Sequence, residues 1–188
     1  MSLWRIKAPI YSRLRRLPPL HFILQQEGRQ LAALLQQIEL PIHRHLDVGS
    51  GTGDALALFP AARWRVCVDA SPAMLRQLHA SPKLAAHAEH LPFRGQSFDF
   101  ITAIGVSEYV ADVAAFFRES RRVLTPEGFF LFTTAPPKPG NCARQILGEP
   151  LHFLRSAEVA AHLTRSGWRL LAQRRSWLQE QWLVQPSV

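Results

Sequence analysis

The sequence predicts an α/β fold built on a parallel sheet with helices on both faces, and three observations support this. From residue 45 onward, apolar runs of strand length alternate with segments of helical spacing, which is typical of βαβ units. The second, fourth and fifth predicted strands are almost continuously apolar, which indicates burial on both faces. No internal repeat or low-complexity linker interrupts the chain. We therefore expect residues 1–188 to form a single domain.

The elements follow one another in a regular order. We predict strands at 45–49, 64–69, 84–88, 98–104 and 128–134. Between them, we predict helices at 53–59, 72–80 and 112–123. A last helix over 156–166 ends before Gly167, a residue type favoured at helix C-termini. Two strand-like stretches, 168–174 and 180–185, are then close enough to form a hairpin.

The first 41 residues are predicted to be a basic, helical extension that packs on or caps the core at 42–188. Helical spacing runs from Ile23 to Leu40 and stops at Pro41. Three alternatives are open for residues 1–20: a solvated arm whose apolar face packs on the domain, a lid over the pocket, and an arm that contacts an anionic membrane. The residues behind these alternatives are the apolar Leu3, Ile6, Ile10, Leu14 and Leu17, and the cations Arg5, Lys7, Arg13, Arg15 and Arg16.

Composition excludes several classes of protein. The 188 residues are 47% apolar and 19% charged, which is typical of a globular domain. The net charge of +8 suits a nucleic acid, an anionic membrane surface or an acidic substrate. Two cysteines are too few for a disulfide framework, and no apolar run is long enough to span a bilayer. We expect a soluble, cytoplasmic protein.

The most informative segment is LDVGSGTGD, residues 46–54, where an apolar strand runs directly into three glycines and then into a predicted helix. Such a turn lets a ligand approach bare backbone and places the helix N-terminus against its anionic part. The glycines fall as G-x-G-x-G rather than the dinucleotide pattern G-x-G-x-x-G, and no P-loop Gly-Lys-Ser/Thr follows. The spacing therefore disfavours NAD and nucleoside triphosphates.

The second predicted strand ends in Asp69, 20 residues after Gly49. A carboxylate at that point reaches the two hydroxyls of a bound ribose, so the order of strand, glycine turn, helix, strand and acid is typical of nucleoside binding. The alternative is that Asp69 only caps the helix that begins at Ser71 and Pro72. The neighbouring glycine turn favours ribose binding.

With these motifs, the chain resembles the class I S-adenosylmethionine-dependent methyltransferases, in the branch of small-molecule and menaquinone/ubiquinone C-methyltransferases. The resemblance covers about residues 45–135 and extends more weakly to HFLRSAEVAAHLTRSGWRLL, 152–171. It implies a Rossmann-like, doubly wound seven-stranded sheet in the order 3-2-1-4-5-7-6, with strand 7 antiparallel. Its marks are LDVGSGTGD, VDASPAML at 68–75, AEHLPF with SFDFITA at 88–103, and RRVLTPEGFFLF at 121–132.

The resemblance also implies a site for S-adenosylmethionine, and for its product S-adenosylhomocysteine, across the carboxyl ends of strands 1 and 4. Gly49, Gly51 and Gly53 would border the methionine part of the cofactor, and Asp69 its ribose. The other implied cofactor-binding residues are Asp47, Ser50 and Ala70 in the same motifs, Ser71 and Met74 on the adenine side, Ala88 and Glu89 at the adenine edge, and Ile104 and Gly105 beside the methionine amine and the transferred methyl group.

Two positions depart from the family pattern. The family usually has an acid two residues before Glu89, ready to accept from the adenine amino group, whereas this chain has His87. A neutral histidine can still accept one hydrogen bond. TPEG at 125–128 stands where the family usually has Pro-Gly-Gly, and we expect a surface turn without functional weight.

Methyl transfer from a sulfonium is an in-line displacement with an activated donor, so the protein chiefly supplies proximity, alignment and sometimes a base. Glu108 and Tyr109, in GVSEYVAD after strand 4, are the candidates for a base. The alternative is that Glu108 caps or solvates the following helix and that Tyr109 packs. Many relatives have histidine at the position of Tyr109, so no family base can be transferred.

Metal and nucleic-acid sites are not expected. His43 with His45, and His87 with His90, form pairs without a third ligand nearby in the sequence. The chain also lacks the Asn/Asp-Pro-Pro-Tyr motif after strand 4 and the paired cysteines of RNA cytosine methylation. Both absences disfavour a nucleic-acid substrate.

We therefore predict a methyltransferase enzyme that acts on a small or lipophilic acceptor. Only about 20 residues separate strand 5 from the last helix, which leaves little chain for a deep substrate chamber. The alternative from another class is an S-adenosylmethionine-binding domain without catalysis of its own, which acts through protein or RNA contacts.

Overall fold

The computed structural model describes residues 18–38, 41–79, 82–142 and 151–187, which form a seven-stranded sheet with its helices. The strands are β1 (Arg44–Val48), β2 (Trp64–Asp69), β3 (Lys83–Ala85), β4 (Phe98–Ala103), β5 (Leu124–Thr134), β6 (Trp168–Arg175) and β7 (Glu180–Pro186). Their order is β3-β2-β1-β4-β5-β7-β6. The first five strands are parallel, and β7 runs antiparallel to β5 and β6. The predicted fold class is confirmed.

The described residues include five α-helices, and two of them begin at a side-chain cap. The five helices are α1 (Pro18–Leu35), α2 (Pro72–Gln77), α3 (Val113–Val123), α4 (Pro139–Cys142) and α5 (Ser156–Arg165). The Ser71 side chain accepts from the Met74 N–H at the start of α2, and Asp112 accepts from the Ala115 N–H at the start of α3. Gly167, with a φ of 70°, lies just beyond α5. Within the described ranges, no helix is long and apolar enough to cross a membrane.

The helix predicted over 53–59 is wrong. After β1 the chain makes turns, and only a short 3-10 helix forms at Leu56–Leu58. Gly53 has a φ of 87°, outside the α region. Pro60 disfavours the α conformation at the residue before it, so too few residues remain between these two points for an α-helix. The glycine turn is therefore not followed by an α-helix N-terminus.

Strand β5 begins four residues before its predicted start and includes TPEG at 125–128, for which the sequence predicts a surface turn. Its pairing with β4 is irregular there, because the register passes from Phe98 opposite Leu124 to Phe100 opposite Phe129. The additional residues of β5 bulge out of the ladder, and two of them are exposed. TPEG therefore lies at the surface, but as a bulge within a strand.

Alternate side chains of β5 enter two different cores. Phe130 and Phe132 belong to the core that contains two phenylalanines of α3. Phe129 and Leu131 belong to the core that contains two leucines of α1. Both faces of this strand are therefore covered, as its continuous apolar run indicates.

Helix α1 also makes polar contacts with the hairpin of β6 and β7. Glu27 is only 5% exposed, and its carboxylate accepts from Ser176 Oγ and Gln181 Nε2. Burial raises the pKa of Glu27, and these hydrogen bonds partly offset that effect. The helix covers 18–35 rather than the predicted 23–40. The apolar face with neighbouring cations that is predicted over residues 3–17 lies outside the described residues, so its role stays a prediction.

Candidate functional site

The candidate site lies at the carboxyl ends of β1 and β4, the two neighbouring strands at which the strand order of the sheet reverses. From β1 the chain passes to β2 and β3 on one side, and then crosses to β4 and β5 on the other. Ligands of open α/β sheets bind at such a switch point, because the loops of two neighbouring strands diverge and leave a crevice there. The glycine turn follows β1 and Gly105 follows β4, so these two parts of the predicted site lie at the same edge of the sheet.

The glycine turn after β1 has a backbone conformation that only glycine adopts without strain. The φ angles of Gly49, Gly51 and Gly53 are 67°, 57° and 87°. A Cβ on Gly49 would lie 2.2 Å from Val106 Cγ2, and a Cβ on Gly53 would lie 2.4 Å from Leu78 Cδ1. The turn therefore requires residues without a side chain at both of these points.

Asp69, at the end of β2, connects the glycine turn to the start of α2. Its Oδ2 accepts from the Gly51 N–H at 2.8 Å, and its Oδ1 accepts from the Ser71 N–H at 2.7 Å. Burial raises the pKa of Asp69, and these two hydrogen bonds act in the opposite direction. The N-cap of α2 is Ser71 rather than Asp69. Each oxygen of Asp69 retains capacity to accept from a further donor.

Asp47 and Ser50 lie at the base of the glycine turn. Asp47 is 3% exposed, and its backbone carbonyl accepts from Ser50 Oγ at 2.8 Å. Thr102 lies opposite Asp47 in the β1–β4 register and donates to its Oδ1 at 2.5 Å. Burial raises the pKa of Asp47 to about 6, although the hydrogen bond from Thr102 lowers it. This carboxyl group therefore changes its charge close to neutral pH.

The start of α2 lies beside the glycine turn. Met74 is 4% exposed, and its Cε would be 3.2 Å from a Cβ on Gly51. Ser71 is also buried, whereas Ala70 is exposed. The structure thus places Met74 against the turn, Ser71 in the interior and Ala70 at the surface.

The predicted adenine edge follows β3. Ala88 is buried and Glu89 is half-buried, and Glu89 Oε1 accepts from the Ala111 N–H at 3.1 Å. His87, which stands in place of the family's acid, is exposed. The Glu89 side chain thus connects the segment after β3 to the segment before α3.

Two residues that the sequence analysis missed hold the segment after β3 against α3. Glu119 Oε2 accepts from the Leu91 N–H at 2.9 Å, and Arg122 donates to the carbonyls of Leu91 and Phe93 at 2.8 and 2.7 Å. Glu119 and Arg122 also pair with each other at 2.7 Å, and this hydrogen bond lowers the pKa of Glu119. Their i, i+3 spacing is the only signal in the sequence, and it does not indicate the backbone groups that they bind.

The end of β4 lies close to the turn between β6 and β7. Ile104 and Gly105 are half-buried, and Gly105 has a φ of 68°. The Gly105 N–H donates to Thr133 Oγ1 at 2.8 Å, and Gln179 Nε2 would be 3.8 Å from a Cβ on Gly105. Thr133 and Gln179 are far from Gly105 in sequence, and only the place of β7 beside β5 brings them here.

Glu108 and Tyr109, the candidate bases, belong to a 3-10 helix over Ser107–Tyr109. Glu108 is completely buried, whereas Tyr109 is 36% exposed. The N-cap of α3 is Asp112 rather than Glu108. Of the two candidates, Tyr109 is the one that reaches the surface.

The histidine pairs lie in different surroundings. His45 is buried and interacts with Arg65 and Thr102, whereas His87 and His90 are exposed. Within the residues that the structure describes, no group of three or more His, Cys, Asp or Glu side chains could hold a metal ion.

Sequence comparison relates the chain to methyltransferases. Residues 46–132 match the family model of a methyltransferase domain. The chain is 39% identical over 149 residues to malonyl-[acyl-carrier protein] O-methyltransferase of Geobacter sulfurreducens. This alignment covers 67% of the chain and 55% of that relative, so the chain spans little more than half of the relative's length.

Solved structures share the fold along nearly the whole chain. A methyltransferase from Thermotoga maritima, described as a possible histamine N-methyltransferase, has a TM-score of 0.75 at 17% identity, with 98% of this chain and 99% of that chain covered. Magnesium protoporphyrin IX methyltransferase from Synechocystis PCC 6803, solved with bound S-adenosylhomocysteine, has a TM-score of 0.72 at 13% identity, with 94% of each chain covered. At these identities, the likeness shows a common fold.

Proposed function

Because the chain belongs to the class I S-adenosylmethionine-dependent methyltransferases, we propose that it binds S-adenosylmethionine at the carboxyl ends of β1 and β4 and transfers the methyl group to a small or lipophilic acceptor. One arrangement carries this proposal. The glycine turn and the Asp69 carboxylate are joined by the 2.8 Å hydrogen bond from Gly51. Together they offer uncovered backbone and an acceptor for ribose hydroxyls within one short segment.

The residues present fit this cofactor. Gly49, Gly51 and Gly53 are assigned to the methionine part, because their partly exposed backbone has no Cβ that would separate it from a ligand. Asp69 is assigned to the ribose, and the buried Asp47 to the cationic side of the methionine part. The remaining assignments are Ser50 in the turn, Ala70, Ser71 and Met74 on the adenine side, Ala88 and Glu89 at the adenine edge, and Ile104 and Gly105 beside the reacting group.

When bound, S-adenosylmethionine supplies a methyl group that is already activated. The chain's own residues then need only to bind the cofactor, align the acceptor and, for some acceptors, take a proton. Glu108 and Tyr109 remain the proposed candidates for this proton. The 36% exposure of Tyr109 favours it over the fully buried Glu108 for direct contact with an acceptor.

The acceptor decides whether a base is needed. The Geobacter relative is named for O-methylation of a malonyl group on acyl-carrier protein, so a small acceptor with a carboxylate is one candidate for this chain. A carboxylate oxygen already carries the charge for attack, whereas a phenol, an ammonium group or a carbon acid must first lose a proton. If the chain methylates only carboxylate acceptors, no base is needed and Tyr109 has no catalytic role.

The proposal also includes the location of the protein. Cys67 and Cys142 are both free thiols, which supports a cytoplasmic location. Peripheral contact with an anionic membrane through residues 1–20 is proposed from their cations and apolar spacing alone.

A second candidate function is cofactor binding without catalysis, with action through protein or RNA contacts. One feature favours it: Arg118, Arg121, Arg122 and Arg165 line an open surface depression at the C-terminal ends of α3 and α5. Arg121 and Arg122 already donate to backbone carbonyls, which gives them a structural role. Turnover on a panel of acceptors by the full chain would support methyl transfer, whereas S-adenosylhomocysteine binding without turnover, together with RNA or protein binding, would support the second function.

Asp69→Ala is expected to weaken the binding of S-adenosylhomocysteine at least tenfold, because two charge-assisted hydrogen bonds contribute about 1.5 to 3 kcal/mol each. Titration calorimetry on the full chain measures this affinity. Asp69→Asn keeps one acceptor, so its affinity should lie between those of the wild type and Asp69→Ala. Glu127→Ala removes an exposed carboxylate from the β5 bulge and serves as the control. Wild-type affinity in both Asp69 variants, with their folds intact by thermal unfolding, would remove Asp69 from the site.

A further inference from the structure

A row of four polar side chains crosses the sheet beneath the glycine turn. Arg65 Nε lies 2.9 Å from His45 Nδ1, and His45 Nε2 lies 2.7 Å from Thr102 Oγ1. Thr102 Oγ1 lies 2.5 Å from Asp47 Oδ1. This polar row of Arg65, His45, Thr102 and Asp47 runs from a half-buried guanidinium on β2 to fully buried groups on β1 and β4.

Chemistry at the two ends determines the direction of each hydrogen bond in the polar row. A guanidinium has no acceptor, so Arg65 donates and His45 Nδ1 accepts. The neutral imidazole therefore carries its hydrogen on Nε2 and donates it to Thr102. The Thr102 hydroxyl has a single hydrogen, and it donates this hydrogen to Asp47 Oδ1.

His45 stays neutral in this position. Burial, and then the charge of Arg65, lower its pKa to about 3. Its ring packs against Phe59 and Phe100, with centroids 5.5 and 4.9 Å away, and such apolar surroundings disfavour an imidazolium. Protonation of Nδ1 would also break the hydrogen bond from Arg65. His45 is therefore a permanent donor to Thr102 at neutral pH.

We propose that the other three members of the polar row are positioning residues that hold Asp47 as an oriented carboxylate beneath the glycine turn, where it attracts the cationic part of the bound cofactor. The inference rests on the proposed function, because the cofactor provides the cation. A hydroxyl that can donate only toward Asp47 stabilises its charged form more than its neutral form. The polar row thereby offsets part of the cost of burying this charge.

Other ionisable groups also act on Asp47. Asp69 opposes its ionisation, whereas the Arg65 guanidinium favours it. Cys67 lies opposite Asp47 in the β1–β2 register, and burial raises the pKa of its thiol, so Cys67 is neutral. Asp69 is the other carboxyl group here with a pKa raised by burial. The experiment must therefore distinguish Asp47 from Asp69.

The experiment measures the affinity of the full chain for S-adenosylhomocysteine by calorimetry as a function of pH. Wild-type affinity should rise with pH to a plateau, with a midpoint near about pH 6. Thr102→Val removes the donor but keeps the shape of the side chain. It should raise the midpoint by about one unit, which weakens binding about fivefold near pH 6 and by less than about twofold near pH 8.5. Thr102→Ser keeps the hydroxyl and should restore the wild-type midpoint.

A second pair of variants keeps the test independent of how well the fold tolerates Thr102→Val. His45→Leu should also raise the midpoint. His45→Gln keeps a donor and an acceptor, so its midpoint should be that of the wild type. Asp47→Asn should abolish the midpoint. A midpoint that persists in Asp47→Asn would belong to Asp69 and would overturn the proposal.

The remaining outcomes separate this inference from the function on which it rests. Binding that is retained in Thr102→Val and His45→Leu, with wild-type midpoints, would refute the positioning role and leave the cofactor site in place. A wild-type chain that binds no S-adenosylhomocysteine at any pH would instead refute the proposed function.

Discussion

Gly49→Ala is expected to abolish detectable binding of S-adenosylhomocysteine and to lower the free energy of unfolding by about 2 to 4 kcal/mol. The φ of Gly49 is 67°, which strains any residue with a Cβ. That Cβ would also lie 2.2 Å from Val106 Cγ2, so the turn or the start of the segment after β4 must move. Calorimetry measures the affinity, and urea unfolding measures the stability.

Two controls accompany this variant. Gly28→Ala lies in helix α1, where a Cβ would meet only Leu58 side-chain carbons at 3.4 Å or more. It should stabilise the chain by up to about 1 kcal/mol. Val106→Ala should relieve the closest contacts that Gly49→Ala creates, which are with the two methyl carbons of Val106, but not the backbone strain. The double variant should therefore be less destabilised than the sum of the single variants. Wild-type affinity in Gly49→Ala would mean that this turn does not hold the cofactor.

Relative to the wild type, Asp47→Asn is expected to gain about 2.5 kcal/mol of unfolding free energy as the pH rises from about 4 to about 7. Burial raises the pKa of Asp47 in the folded chain to about 6, from 3.8. Between these values the folded wild type binds more protons than the unfolded chain. The stability contributed by Asp47 is therefore fully present below the lower value and is lost as the pH rises through the higher one. Asparagine does not titrate and escapes this loss.

His45 acts in the opposite direction, so the difference between the two proteins is more informative than either curve alone. Its pKa falls to about 3 from 6.5 on folding, and its contribution to stability therefore rises with pH between these values. In the wild type, the effects of Asp47 and His45 oppose each other between about pH 4 and 6. Urea unfolding of both proteins at several pH values tests this. A difference that does not change with pH would contradict an ionisable carboxyl group buried at position 47.

The strands could be predicted because burial on both faces leaves a clear record in the sequence. Strand β2 has the predicted limits, 64–69, and the two strands of the C-terminal hairpin differ from prediction only at their ends. The helix over 53–59 could not be excluded from apolar spacing, because this spacing does not report the positive φ of Gly53. The bulge of β5 depends on its register with β4, which the spacing of apolar residues does not report.

The site was predictable where its parts are joined by the order of the strands. The glycine turn follows β1 and Asp69 ends the neighbouring parallel strand β2, so both lie at the same edge of the sheet. Gly51 and Asp69 are hydrogen-bonded in the structure. The polar row was not predictable, since its members come from three strands and bond across 20 to 57 positions of the sequence. For the same reason, the sequence shows only the spacing of His45 to His43 and not its partners Arg65 and Thr102. The burial of Glu108 could not be predicted either, because no pattern in the sequence distinguishes it from an exposed glutamate.

Titration calorimetry of the unmodified full chain with S-adenosylhomocysteine is the decisive measurement of cofactor binding, because it requires no knowledge of the methyl acceptor. We expect saturable binding of one molecule per chain, with an affinity that rises as the pH rises through about 6, and no binding of NADH to the same chain. Absence of S-adenosylhomocysteine binding from about pH 6 to 8.5 would contradict this expectation, and so would an equal affinity for NADH.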